Sequence, residues 1–258
     1  MRYFLDISFR GARYHGWQIQ PGDITVQEEV QKALSMLLGK DTAITGAGRT
    51  DAGVNALHMP AHFDCDAELD ADRRRNLCRS LCAICRPDIT VNACVPVAPD
   101  AHARFDATLR TYRYFVHTRP DPFVNPLSWM SNGPLDFEAM NREAQALLGT
   151  HDFTSFSKLH TDVRTNICTV SHAAWHRIDA HRWYFEISAD RFLRNMVRAV
   201  VGTLVDVGKG KASEGYVCRV MGLMDRCGAG TSMPAQALFL WNVEYPYPLW
   251  PKEKIELL

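Results

Sequence analysis

A single carboxylate, Asp51, lies inside the glycine-rich run 46-GAGRTDAGVNA-56, where Gly46, Gly48 and Gly53 allow a turn that brings main chain close to a ligand or a neighbour. Three chemistries compete for such a run: a phosphate cradle, an ordinary Asp-x-Gly turn and a catalytic carboxylate. The phosphate readings fail residue by residue. Asp51 stands where a dinucleotide fingerprint needs its third glycine, and Val54-Asn55 stand where a P-loop needs Lys and Ser or Thr. A carboxylate would also repel a phosphate. Turn aspartates are common because the side chain bonds its own backbone. Arg49, however, precedes Asp51 by two positions, so in an extended segment both emerge on one face, where the guanidinium can orient the carboxylate. An exposed, oriented carboxylate acts as a nucleophile or a general base.

Two further stretches carry cations. In 110-RTYRYF-115 a strand would send Arg110, Tyr112 and Tyr114 one way and Thr111, Arg113 and Phe115 the other, an alternation suited to stacking on bases and gripping phosphates, or simply to packing. In 191-RFLRNMVRAVVG-202, helical spacing puts Arg191, Arg194 and Arg198 in one basic stripe. No acidic residue lies between 191 and 205 to neutralise that stripe from within the helix, so an anionic ligand such as an RNA backbone suits it.

Two metal-like patterns read as packing. Cys78, Cys82 and Cys85 have the C-x3-C-x2-C spacing of an iron–sulfur loop, but i, i+4, i+7 is also one helix face. Leu77, Leu81 and Ile84 extend that face, Asp70 or Asp72 offers an N-cap and Pro87 stops the run. His58 and His62, like His172 and His176, are spaced i, i+4 on alternating segments with no carboxylate or thiol in the pattern, which places them on a sheet surface rather than around zinc.

The elements that must position these groups follow from periodicity. Residues 2–10 alternate as a strand, Thr25 to Glu28 is a capping box opening an amphipathic helix that Gly39 ends, and strands at 42–48 and 57–64 flank the Asp51 run. A helix over 71–85 and a strand over 90–97 complete the order β-α-β-β-α-β. The order repeats with a strand at 108–118, a helix at 136–148, strands at 166–178 and 182–189, a helix at 191–207 and a strand at 237–245, plus an extra helix near 213–226. The fold class is therefore α+β. Two ferredoxin-like halves with antiparallel sheets, each with helices on one face, enclose a cleft. Residues 1–105 form the half with the Asp loop; residues 106–258 form the half with the 110–115 strand and the basic helix. The proline-rich segment 120–134 is either an irregular surface loop or a lid.

Composition bounds the setting. Apolar residues make up 47% and charged residues 22%, as in ordinary globular domains, and the formal net charge is zero, so any polyanion site is a local patch. Of the 29 basic residues 22 are Arg, the fork suited to phosphate. Without a signal-like start or a membrane-length apolar run, the chain reads as soluble and cytoplasmic, and its eight Cys as reduced thiols.

The chain resembles the TruA family of tRNA pseudouridine synthases through 14-YHGWQ-18, 48-GRTDAGVNA-56, 61-AHFD-64, 102-HARFDATLRTYRY-114, 149-GTHDFTSF-156, 192-FLRNMVRAVVGTL-204 and 234-PAQALFL-240. The match is nearly end to end. The resemblance implies a homodimer with a tRNA-binding cleft between its halves, converting uridine to pseudouridine at positions 38, 39 and 40 of the anticodon stem-loop without metal or organic cofactor. It implies Asp51 as nucleophile, Arg49 as its ion-pairing arginine, Tyr112 as the tyrosine that stacks on the target base, and Arg198 as a further active-site arginine. Two departures stand out: Asn55 replaces the family's usual His, and 235-AQALFL-240 brings Ala and Phe into the usual Gly-Leu tail. Asn cannot titrate, so a proton-transfer role for that His has no counterpart here. The competing expectation is a non-catalytic RNA-binding protein of the same fold.

Overall fold

The computed structural model describes residues 1–158 and 165–250. Its strands, among the described residues, are β1 (Arg2–Phe9), β2 (Ile44–Gly46), β3 (Asn55–Asp64), β4 (Ile89–Val97), β5 (Leu109–His117), β6 (Trp129–Met130), β7 (Gly149–Asp152), β8 (Ile167–Arg177), β9 (Arg182–Ala189) and β10 (Leu238–Glu244). The helices are α1 (Val26–Leu38), α2 (Ala71–Cys85), α3 (Phe137–Ala144), α4 (Met196–Gly208) and α5 (Tyr216–Leu223).

The predicted caps form. Thr25 accepts from the Glu28 N–H, Asp70 from the Arg73 N–H and Asp136 from the Ala139 N–H, each satisfying a donor that a helix start leaves without a partner. Gly39 closes α1 in the left-handed conformation at φ 67°. On α2 the buried face is Leu77, Leu81 and Cys85, with Cys78 and Cys82 packed beside them, so the cysteine periodicity is core packing.

The strands join in one mostly antiparallel sheet of order β4-β1-β3-β10-β5-β9-β8-β7, with β2 added on β3 and β6 on β5. Two separate sheets were expected. Instead β10 pairs in parallel with β3 through Phe239 with Asn55 and Leu240 with Ala56, so the last strand of the second half stitches the halves together. Tyr112 packs against both principal cores, one built on α1 and α2 and the other on α3, α4 and α5, which puts all the helices on one side of the sheet. The other side is partly covered at the N-terminal half, where Phe4, Ala101 and Ala103 pack with Tyr245 and Tyr247. Within the loop 120–134, Trp129 and Met130 form a short strand beside Val116 and His117 rather than irregular chain throughout.

One helix start differs from expectation. Helix α4 begins at Met196, not at 191, because Asn195 adopts the left-handed conformation at φ 66° and breaks the helical path. Arg191 and Arg194 therefore lie in the preceding loop and the basic stripe is not a helix face; Arg198 alone of the three is on α4. Phe192 and Leu193 still pack inward from the loop, which is why the apolar pattern imitates a longer helix. No helix among the described residues is long and apolar enough to cross a membrane.

Candidate active site

Asp51 sits in the connection from β2 to β3, at the junction of the two halves. Its carbonyl accepts from the Val54 N–H, and Gly53, at φ +79°, supplies the positive φ that a type II turn needs at its third position. The Gly53 N–H donates to Tyr14 O, tying the turn to the loop after β1. Gly46 answers a different need: a Cβ there would meet the Trp17 indole at 2.5 Å. Gly48 has nothing within 4 Å of its Cβ position, so no neighbour among the described residues requires a glycine there.

The Asp51 side chain is 22% exposed, accessible to a substrate but shielded on most sides. Arg198 approaches Oδ2 at 3.8 Å through a terminal guanidinium nitrogen, and Arg194 approaches Oδ1 at 3.9 Å through Nε. Among the described residues neither carboxylate oxygen accepts a hydrogen bond, so both remain available to a ligand. Arg49, expected to orient Asp51, is exposed and makes no ion pair with it among the described residues. The Asp51 carboxylate instead faces Arg194 and Arg198, which the other half delivers to it. The acidic partner absent from residues 191–205 is thus Asp51 itself, contributed by the other half.

Arg198 is held by its own Nε, which donates to Met233 O at 2.6 Å, while its backbone carbonyl accepts from the Met233 N–H. Asn195 Nδ2 donates to Ser232 Oγ at 2.6 Å and Arg194 O accepts from the Lys158 N–H, so the arginine-bearing segment is pinned to residues 232–233 and 158.

Tyr112 lies half-buried on β5, its ring edge-to-face with Phe192 at 5.0 Å between centroids. Burial, with the Asp51 carboxylate adding to it, pushes the Tyr112 phenol well above its ordinary value, so it stays neutral at physiological pH. Arg110, expected to grip phosphate from the same face, is committed elsewhere. It donates to four backbone carbonyls, those of Ala47, Arg104, Ala107 and Asp190, at 2.7 to 3.1 Å. Its guanidinium joins the Asp51 connection to the segment that precedes Arg191.

Asn55, the departure in the glycine-rich run, is buried and hydrogen-bonded throughout. Its Oδ1 accepts from the Gly11 N–H at 2.9 Å, and Nδ2 donates to Gln236 O at 2.7 Å and Leu238 O at 3.4 Å. It cross-links the Asp51 region to the start of β10, which is itself the second departure. Sequence reasoning missed this tie, and missed Arg194 as a neighbour of Asp51. Both depend on contacts between halves, for which residues 49–55 alone carry no signal.

Comparison with known proteins follows the same lines. A family model described as tRNA pseudouridine synthase matches residues 144–246. A protein of Bacteroides fragilis named tRNA pseudouridine synthase A is 52% identical over 250 residues, covering 96% of this chain and 98% of its own. One of the same name from Bacteroides thetaiotaomicron is 52% identical over 98% of this chain and 93% of its own. A third, from Bacillus subtilis, is 38% identical over 95% and 99% respectively.

Proposed function

The chain belongs to the tRNA pseudouridine synthase family, and from that premise we propose that it isomerises uridine to pseudouridine in tRNA, with Asp51 as the catalytic carboxylate. The observation that carries the proposal is the one just described: a partly exposed aspartate with uncommitted oxygens, flanked by two arginines delivered from the other half of the sheet. Isomerisation breaks the N1–C1′ bond, turns the uracil and forms C5–C1′, after which the C5 proton leaves. Reactant and product have the same atoms and oxidation state, so the reaction itself calls for no electron carrier. It does call for an anionic group beside the sugar and base, which Asp51 supplies as nucleophile or base. The target nucleotide must leave the helix to reach it. Tyr112, neutral and flat, stacks on the detached uracil, while Arg198 and Arg194 screen the carboxylate and hold the flanking phosphates. Arg49, exposed at the same loop, meets the RNA backbone.

The finer features belong to the same reading. Positions 38, 39 and 40 of the anticodon stem-loop are the targets, the chain works as a homodimer in the cytoplasm, and tRNA lies across the cleft between residues 1–105 and 106–258. Each half is a βαββαβ unit. The strand orders β4-β1-β3-β2 and β10-β5-β9-β8 support this, since both follow the split pattern in which the first and third strands lie side by side.

Carbodiimide adduct mapping of an unmodified tRNA transcript tests the function. The expected result is new adducts at positions 38 to 40. Adducts elsewhere overturn the positional assignment, and binding without any adduct favours the RNA-binding alternative. Arg198→Ala is expected to slow adduct formation by roughly 10- to 100-fold, as loss of a preorganised charge does in other sites, and Arg49→Ala to act mainly on KM. Equal effects of the two substitutions contradict their separate roles. Sedimentation of the native chain as a monomer overturns the dimer.

A further inference from the structure

His172 and His176 were expected to be sheet-surface residues without a carboxylate partner, and the structure corrects half of that. They do lie on the sheet, but pairing of β8 with β9 brings Glu186 opposite Ala174, between the two histidines. His172 Nε2 lies 3.4 Å from His176 Nε2 and 3.7 Å from Glu186 Oε1, and one donor atom from each residue falls within 4.8 Å of the others. All three side chains are half-buried, so the group is open to solvent ions without being loose.

We propose that His172, His176 and Glu186 form a binding site for a divalent transition-metal ion of the zinc class. Bonds of 2.0–2.2 Å in a tetrahedron separate neighbouring ligand atoms by about 3.3–3.6 Å, close to the 3.4 and 3.7 Å already present between His172 and its two partners. Two imidazoles and one carboxylate are a donor set that suits zinc and leaves one position for water. The Glu186 carboxylate is held for the purpose. Arg113 Nε donates to Oε2 at 2.5 Å, leaving Oε1 toward the histidines, and the Arg113 guanidinium is itself sandwiched between Tyr184 at 4.5 Å and Trp241 at 4.1 Å. That is the outer support that fixes a metal ligand's orientation. The 3.4 Å contact sets the two Nε2 atoms side by side, and an ion bound by both would require each ring to carry its proton on Nδ1. Arg113 points to the opposite face of β5 from Tyr112, so the site is separate from Asp51 and the ion would clamp β8 to β9.

Cobalt titration of the chelator-stripped, reduced full chain tests the site, because the eight free cysteines could also bind metal and cobalt distinguishes them. The expected result is one equivalent bound with visible d–d absorption and no thiolate charge-transfer band. A charge-transfer band, or no binding, overturns the proposal. His172→Ala and His176→Ala are expected to weaken binding at least about tenfold, since even the outer partners of ligands contribute that much. Glu186→Gln, nearly the same shape, separates lost coordination from lost folding: native-like circular dichroism with weakened cobalt binding is expected, and native affinity in all three variants overturns the assignment. Uridine isomerisation by these variants does not bear on the outcome.

Discussion

Residues 46–54, which carry the Asp51 carboxylate, and residues 190–198, which approach it from the other half of the sheet, are fixed in different ways. The first segment is shaped by its backbone: a turn closed by Val54 on Asp51, a positive φ at Gly53 and a close approach of Trp17 at Gly46. The second is held by side chains, Asn195 on Ser232 and Arg198 on Met233. Backbone shape sets where the nucleophile candidate points, and side-chain bonds set where its cations stand. One residue touches both, since Arg110 bonds Ala47 in the first and Asp190 in the second.

The comparison can be broken first at that shared residue. Arg110→Met leaves four carbonyls without their donor, and chemical denaturation is expected to show a loss of about 3 kcal/mol, with Arg110→Lys recovering only part of it. A change within error would mean the two segments are not joined through it. Next comes the backbone of the first segment. Gly53→Ala places a Cβ at φ +79° and 3.2 Å from Ala235 Cβ, and is expected to cost about 1–2 kcal/mol together with a fall in turnover as Asp51 is re-aimed. On the second segment, Asn195→Ala is expected to cost a similar 1–2 kcal/mol, from φ 66° and the lost Ser232 bond, whereas Asn195→Gly keeps the φ and loses less. If the two Asn195 variants are equally unstable, the φ is not what matters there. The smallest effect is expected at Gly48→Ala, within about 0.5 kcal/mol, because its Cβ position is open.

The same contrast explains what the sequence made legible. Caps at Thr25, Asp70 and Asp136 and the strand alternations are local signals, and every helix and strand placed by them is present, β2 only as Ile44–Gly46. Asp51 stood out because glycines around a charge are rare in regular elements. The start of α4 was misplaced because φ at Asn195 is set by a bond to Ser232, 37 residues away, while Phe192 and Leu193 keep a helix-like apolar pattern in a loop. Arg49 was paired with Asp51 from local spacing alone, which carries no trace of Arg194 and Arg198, the arginines that the fold brings to that carboxylate. Arg110 looked like a phosphate ligand because its four carbonyl partners come from segments that only the fold brings together. The parallel pairing of β10 with β3, which makes one sheet of two, is likewise a contact between segments far apart in the chain that no local pattern encodes.

The most direct test of the central claim is tritium release from tRNA carrying 5-tritiated uridine, since forming the C5–C1′ bond expels that hydrogen. The native chain is expected to release tritium in step with pseudouridine formation, and Asp51→Ala, in a folded protein that still binds tRNA, is expected to release none above background. Release by Asp51→Ala at a rate near native would contradict the assignment of the catalytic carboxylate.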